Sequence, residues 1–506
     1  MSLAIIHTRA RLGIDSPAVT VEVHLSNGLP SLSIVGLPET AVKESKDRVR
    51  SAIINSHFEF PARRITINLA PADLPKEGSR FDLAIAMGIL AASKQIATEE
   101  LSTFEFIGEL ALSGELRPCY GVLAAAIACG RAGRQLIIPS DSAEEASLCE
   151  STQIFHGKHL LEICQHLDTS QHPSYSLQAL SFTEPHCEHQ FPDFNEVRGQ
   201  QFAKRALEIA AAGRHNLLFY GPPGTGKTML ASRLPGIMPP LTQEQAIEVA
   251  CIHSLCGKNY QHWRIPPFRS PHHTASSVAL VGGGSQPRPG EVSLSHRGIL
   301  FLDEFPEFQR SVLEVLREPL ESGEISISRA SAQLTFPADF QLIAAMNPCP
   351  CGYLNNRHTQ QSCRCTAEQI QRYRQKISGP LLDRIDLHIP VVSLSSEELL
   401  DQDNVKTEPS SVIQQRVISV RKRQQTRQGC SNAELSNKQL IQVCQLRGES
   451  KQLLNTAIKQ LGLSARAYHR VVKVARTIAD LDSKDSISNR HIAEALSLRS
   501  LDRENH

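Results

Sequence analysis

No stretch of the chain approaches the ~18 uninterrupted apolar residues that a membrane-crossing helix needs, so the sequence predicts no membrane partner. The first residues, Met1-Ser-Leu-Ala-Ile-Ile-His-Thr-Arg9, lack the basic stretch, apolar core and small-residue cleavage site of a secretory leader and read as a first strand of a cytoplasmic protein. There is no excess charge of either sign. Lys+Arg 53 against Asp+Glu 52 leaves a net charge of +1, so overall charge cannot argue for a nucleic-acid partner, and any basic surface must be local. A disulfide framework is also missing: the 13 cysteines are an odd number, and most stand singly in apolar segments such as Ala126-Ile-Ala-Cys129, as buried reduced thiols do.

What is present is 506 residues of average composition, 41% hydrophobic and 21% charged, enough for about three domains. Residues 1–170 alternate strand-like runs (Val19 to Leu25, Ser31 to Val35, Arg64 to Leu69) with helical ones (Ala41 to Ser56, Val122 to Ala132), an α+β module. Within it Asp73-Leu-Pro-Lys-Glu-Gly-Ser-Arg80-Phe-Asp82 and Gly108-Glu109-Leu-Ala-Leu-Ser-Gly114 resemble the proteolytic domain of Lon-type proteases. The resemblance implies that fold but no peptidase activity. Arg80 stands at the serine position and Leu123 at the lysine position, and a nucleophile without its base is not activated. Ser79, one residue away, has no partner lysine in this reading either. Residues 171–191 carry many breakers and little periodicity and read as a linker, with His186, Cys187 and His189 as linker polar residues rather than metal ligands.

Residues 192–395 carry the chemistry. An apolar run, Leu217 to Tyr220, precedes Gly221, Pro222, Pro223, Gly224, Thr225, Gly226, Lys227 and Thr228, and a helix start follows. The glycines allow backbone amides to close around phosphate oxygens, Lys227 supplies a charge to the β and γ phosphates, and Thr228 offers a hydroxyl to Mg²⁺. Gly298-Ile-Leu-Phe-Leu-Asp303-Glu304 is a buried strand ending in two carboxylates: Asp303 is placed to hold Mg²⁺ and Glu304 to polarise the attacking water. A third apolar strand, from Phe340, ends at Asn347, in position to orient water beside the γ-phosphate. Gly379-Pro-Leu-Leu-Asp-Arg384 presents an arginine at the start of a further strand.

This succession resembles the AAA+ ATPases of the magnesium-chelatase-like and MCM-helicase branch. Longer words, Phe268-Arg-Ser-Pro-His-His-Thr274, Arg288-Pro-Gly-Glu-Val-Ser-Leu-Ser-His-Arg-Gly298, Met346-Asn-Pro-Cys-Pro-Cys-Gly352 and Ala465-Arg-Ala-Tyr-His-Arg470, together with the Lon-like front domain, are similar to the bacterial ComM/YifB family over essentially the whole chain. The resemblance implies a multidomain α/β protein: a Lon-protease-like α+β N-terminal domain, an AAA+ P-loop α/β core and a C-terminal α-helical lid over residues 396–506. It implies ATP and Mg²⁺ as cofactors, Asn347 as sensor 1, and Arg384 as an arginine finger completing a neighbouring subunit's site in a ring, commonly a hexamer. Arg466 is the better match to sensor 2, with Arg470, one helical turn on, as the alternative.

Two insertions point toward DNA. Glu324-Ile-Ser-Ile-Ser-Arg329-Ala-Ser-Ala-Gln-Leu-Thr335 is two alternating runs around a small-residue turn and resembles the branch's pre-sensor-1 hairpin, with Arg329 near its tip to contact phosphates. Ser277 to Gly290 resembles the helix-2 insert, and Arg288 is its charge. Either hairpin could instead pack on a neighbouring subunit. Cys349, Cys351, Cys363 and Cys365 form two C-x-C pairs, a soft-ligand set suited to structural zinc, since four cysteines leave no open coordination position, the alternative being free thiols in a loop. Ser410 to Arg427, with Arg416, Arg421, Lys422, Arg423 and Arg427, reads as a basic helix with a solvated face or, alternatively, a DNA surface.

The leading expectation is an ATP-driven ring motor on single-stranded or branched DNA, a helicase promoting branch migration during recombination of incoming DNA in natural transformation, with recombination proteins as further partners. The alternative is a chelatase-type motor subunit that remodels a protein partner for metal insertion. A Lon-type protease and a non-enzymatic nucleotide switch are disfavoured, the first by Arg80 and Leu123, the second by Glu304.

Overall fold

The computed structural model describes residues 2–36, 40–76, 78–168, 175–182, 184, 191–257, 262–284, 288–328, 333–354, 362–393, 408–446, 448–462 and 464–501. The expected linker residues His186, Cys187 and His189, and Arg329 of the hairpin, lie outside them. The chain divides into two compact units, one of Met1–Cys187 with Ala246–Trp263 and Ser328–Leu334, the other of Glu188–Gln245, Arg264–Ile327 and Thr335–His506.

The first unit is built on strands β1 (Ser2–Arg9), β2 (Ala18–Ser26), β3 (Ser31–Val35), β4 (Arg64–Ala70), β5 (Phe104–Phe106), β8 (Gln135–Pro139), β9 (Ile154–Gly157) and β10 (Gln178–Ala179), with a small hairpin of β6 (Glu109–Leu110) and β7 (Leu116–Arg117) apart from them. The eight form one mixed sheet in the order β10-β9-β8-β5-β1-β2-β4-β3. Along β2 every second residue is buried, the alternation of a strand with one covered face. The cover includes the helix Asp82–Ala92, whose eleven residues are all buried. Arg80 and Leu123 are both buried. Ser79 donates its hydroxyl to the Glu109 carboxylate.

The second unit carries β11 (Leu217–Tyr220), β12 (Phe268–Arg269), β13 (Gly282–Gly283), β14 (Arg288–Pro289), β15 (Ile299–Leu302), β18 (Gln341–Met346) and β19 (Leu387–Pro390), and most of β16 (Glu324–Ser328) and β17 (Gln333–Pro337), whose facing ends, Ser328 and Gln333–Leu334, are counted with the first. Its main sheet runs β12-β15-β18-β11-β19, with every pairing parallel. Parallel strands are covered on both faces and so read as unbroken apolar runs; all residues of β11, β15 and β18 are buried. Each Leu, Ile or Phe so buried contributes about 1.5–3 kcal/mol. β13 pairs with β14 and β16 with β17 as separate two-stranded ribbons, the second matching the expected hairpin.

The helices Ser410–Gln428, Asn437–Val443, Glu449–Leu461, Ala465–Leu481 and Asn489–Ser497 form the helical C-terminal region. Val417, Val471, Ile478 and Ile492 belong to the same apolar core as Leu217, Phe219 and Ile343 of the sheet. The basic helix Ser410–Gln428 turns much of its charge inward. Arg416 pairs with Glu208, Arg421 donates to the Ala211 carbonyl, and Arg427 pairs with Asp480. Of the five basic residues Lys422 and Arg427 are exposed, and Arg416, Arg421 and Arg423 are partly buried.

Candidate functional site

The phosphate loop leaves β11 where parallel pairing sets Tyr220 level with Met346 and Leu302 level with Ala344. Residues following β11, β15 and β18 therefore emerge side by side at the carboxyl edge of the sheet, where open α/β sheets place their ligands. There Pro223, Gly224, Gly226, Asp303, Glu304 and Asn347 line, with Thr225 and Lys227–Met229, an open cavity of about 430 Å³. Gly224 and Gly226 have φ of +75° and +87°, a left-handed conformation that side chains resist.

Lys227 is folded back into the loop, its Nζ donating to the carbonyls of Gly221 and Pro222, both at 2.7 Å, and to Asn347 Oδ1 at 3.2 Å. Burial of the ammonium lowers its pKa to about 8, against a smaller raising effect from Asp303. Thr228 Oγ1 donates to Asp303 Oδ2 at 2.5 Å, so the two groups expected to hold Mg²⁺ are already adjacent. A hydroxyl and a carboxylate fit that ion, which keeps several waters and takes few protein ligands. Asp303 Oδ1 also accepts from the Glu304 amide at 2.8 Å.

Glu304 has φ of +50° and its carboxylate meets His273 Nδ1 at 2.8 Å. Sequence reasoning quoted His273 within a family word and gave it no role. The pairing spans 31 residues from a loop with no periodic signal, so only the fold reveals it.

Arg384, Arg466 and Arg470 are not among the residues lining this cavity. Arg384 is 6% exposed, donates to the Pro380 carbonyl at 2.7 Å and pairs with Glu321. It lines a second cavity of about 510 Å³ together with Glu314, Arg317, Glu318 and Glu321. Glu321 is a further residue that the sequence did not single out. Arg470 is held by Asp386 and the Arg384 carbonyl. Burial alone would raise the Asp386 pKa, but the Arg470 guanidinium holds it well below the usual carboxylate range. Arg466 is exposed in the first turn of the helix Ala465–Leu481, which Ser464 caps through the Ala467 amide. Arg288 is exposed on β14, opposite Gly283 of β13.

Directly after Asn347, the sulfurs of Cys349, Cys351, Cys363 and Cys365 all lie within 4.8 Å of one another. Cys349 and Cys351 are 3.4 Å apart, Cys349 and Cys363 3.7 Å, and Cys351 and Cys363 3.6 Å. None is in a disulfide. Sulfurs ~2.3 Å from one tetrahedral ion stand roughly 3.8 Å apart, which the spacing of Cys349, Cys351 and Cys363 approaches, with Cys365 within 4.8 Å of each. Backbone N–H groups of Tyr353 and Arg364 aim at Cys351 and help draw its thiol down to about 6, against burial, which raises it.

Comparison with known proteins bears on the whole chain. Residues 193–399 match the family described as magnesium chelatase, subunit ChlI; residues 21–142 match subunit ChlI of Mg-chelatase; residues 407–499 match its C-terminal region. The competence protein ComM of Haemophilus influenzae is 50% identical over 508 residues, covering 99% of this chain and 98% of its own. The YifB protein of Salmonella typhimurium is 51% identical over 505 residues, with the same coverage. Lon protease 2 of Bacillus subtilis is 27% identical over 199 residues, 34% of this chain and 36% of its own.

Proposed function

From the premise that the chain belongs to the ComM/YifB family of magnesium-chelatase-like AAA+ ATPases, we propose that it is an ATP-driven ring motor acting on DNA, a helicase that promotes branch migration when incoming DNA recombines during natural transformation. The observation that carries the ATPase part is the convergence of Lys227, Thr228, Asp303, Glu304 and Asn347 on one cavity at the sheet's carboxyl edge. The competence relative supports the DNA part.

In this reading the amides of Gly221–Thr228 wrap the phosphates, and Lys227 exchanges its loop carbonyls for the β and γ oxygens. Thr228 and Asp303 hold Mg²⁺, which neutralises charge on the phosphates. Glu304 polarises the attacking water once it leaves His273, and Asn347 orients that water. Arg384 exchanges Glu321 for the γ-phosphate of a neighbouring subunit in a hexameric ring, and Arg466 contacts nucleotide from the helical region as sensor 2. Arg288, and Arg329 on the β16–β17 hairpin, contact DNA phosphates.

The test is a synthetic three-strand branched DNA with ATP and Mg²⁺. Strand exchange past the branch by the native protein and none by Lys227→Ala is expected. Rapid ATP hydrolysis with no strand movement on branched or single-stranded DNA would instead favour a chelatase-type motor that remodels a protein partner.

A further inference from the structure

The cysteine quartet does more than sit near the nucleotide cavity. After Cys351 comes Gly352, with φ of +86°; a Cβ placed there would lie 2.8 Å from Cδ of Pro223 in the phosphate loop and 3.9 Å from Cγ of Asn347. Only a glycine lets the cysteine turn pack this closely on a rigid proline ring. On the far side of the quartet, Cys365 leads into Thr366, which caps the helix Ala367–Arg374 in a capping box with Gln369. That helix returns to the same place: the Asn347 backbone amide bonds the Tyr373 hydroxyl, and Arg374 Nε donates to the Pro348 carbonyl at 3.4 Å. The segment from Asn347 to Gly352 is thus held between the phosphate loop and the helix, and the four sulfurs close the loop that joins its two ends.

We propose that Cys349, Cys351, Cys363 and Cys365 bind one Zn²⁺ as a closed tetrathiolate site, and that this site is a strut that fixes Pro223 and Asn347, so that metal occupancy sets nucleotide affinity. Four thiolates fill the coordination sphere, so the ion is structural. Closing the loop between Cys349 and Cys365 removes conformational freedom much as a cross-link does. With the ion bound, Gly352 bears on Pro223 from a fixed position. Without it, the turn keeps its Gly352-to-Cys349 backbone bond and Asn347 its bonds to Lys227 and the helix, but no ion ties Cys349 and Cys351 to Cys363 and Cys365. The coupling rests on the proposed reading of Gly221–Thr228 as an ATP site; the metal site does not.

The experiment uses the full chain purified without chelator. Elemental analysis is expected to give one zinc per chain. Binding of a fluorescent N-methylanthraniloyl ATP in Mg²⁺ is then compared for native protein, protein stripped of metal by a strong chelator, Cys363→Ser/Cys365→Ser and Gly352→Ala, with circular dichroism on each. Stripped and double-cysteine proteins should retain their helix and strand signal and bind the analogue roughly tenfold more weakly, the scale of a small misplacement in a binding site. Re-added Zn²⁺ should restore only the stripped native protein. Gly352→Ala should keep its zinc and still bind the analogue more weakly, because the methyl group pushes Pro223. Absence of zinc overturns the metal site. Zinc present, with unchanged analogue affinity in both the stripped protein and Gly352→Ala, overturns the coupling. Native protein that does not bind the analogue at all overturns the ATP reading and the coupling with it, and leaves the zinc result to decide the metal site.

Discussion

At the scale of single residues, the telling feature is the state of Lys227. Its ammonium is buried against carbonyl oxygens, with a pKa lowered to about 8. Phosphate oxygens need the charged form, so nucleotide binding takes up a proton whenever Lys227 is neutral. The free protein holds that proton almost fully about one pH unit below 8, has lost half of it near 8 and loses the rest above. Affinity for ATP analogues should therefore be flat from pH 6.5 to 7.5 and fall about tenfold per pH unit well above 8, measured by titration at constant ionic strength. A flat profile to pH 9.5 would show that the loop lysine does not lose its proton in the free protein.

Arg384 is the second residue of this kind: the motif order offers it as the finger, but says nothing of its state. In the single subunit its guanidinium is buried and committed to Glu321 and the Pro380 carbonyl. Arg384→Ala should leave analogue binding within about twofold of native while ATP turnover falls about 10³-fold, the order of effect for an arginine finger. Normal turnover would remove the assignment.

At the scale of elements, the parallel strands were legible because β11, β15 and β18 are buried on both faces and therefore apolar throughout. The residues at their carboxyl ends followed from that, since a motif on a strand end has only one place to go. The partners of the basic helix Ser410–Gln428 were not legible, because Arg416, Arg421 and Arg427 reach Glu208, the Ala211 carbonyl and Asp480, which stand 208, 210 and 53 residues away. The same long separations hid His273 and Glu321.

The helix Ala465–Leu481 shows what such inward charge does for stability. Asp480 is fully buried and accepts from Arg476, itself 1% exposed, from Arg427 and from Asn432. Removing the acceptor leaves the buried Arg476 guanidinium with the Lys484 and Asp485 carbonyls but without this counter-charge. Asp480→Ala should destabilise this unit by about 3–5 kcal/mol, read as a shift of its transition in urea denaturation followed by circular dichroism. A shift under about 1 kcal/mol would mean that water replaces the carboxylate. The family words covered the ends of these elements well, whereas the front sheet announced itself through strand alternation and through Lon-like segments in which Arg80 and Leu123 are both buried.

At the scale of the whole molecule, the account requires two subunits for one active site. Lys227→Ala chains lack the phosphate charge but keep Arg384; Arg384→Ala chains have the reverse. Mixed in equal amounts before assembly, the two inactive variants should regain turnover, with about a quarter of interfaces intact in a randomly mixed ring. A mixture as inactive as its components would place Arg384 in service of its own subunit, or of none.

The central claim is that ATP hydrolysis is coupled to DNA, and steady-state ATP turnover of the full chain with and without single-stranded, duplex and branched DNA tests it most directly, run beside Lys227→Ala. The account predicts that single-stranded or branched DNA raises turnover several-fold, that the stimulation weakens as salt is raised because phosphate contacts release counterions, and that Lys227→Ala is inactive throughout. Turnover that depends on Lys227 but is the same with every DNA and with none would contradict it.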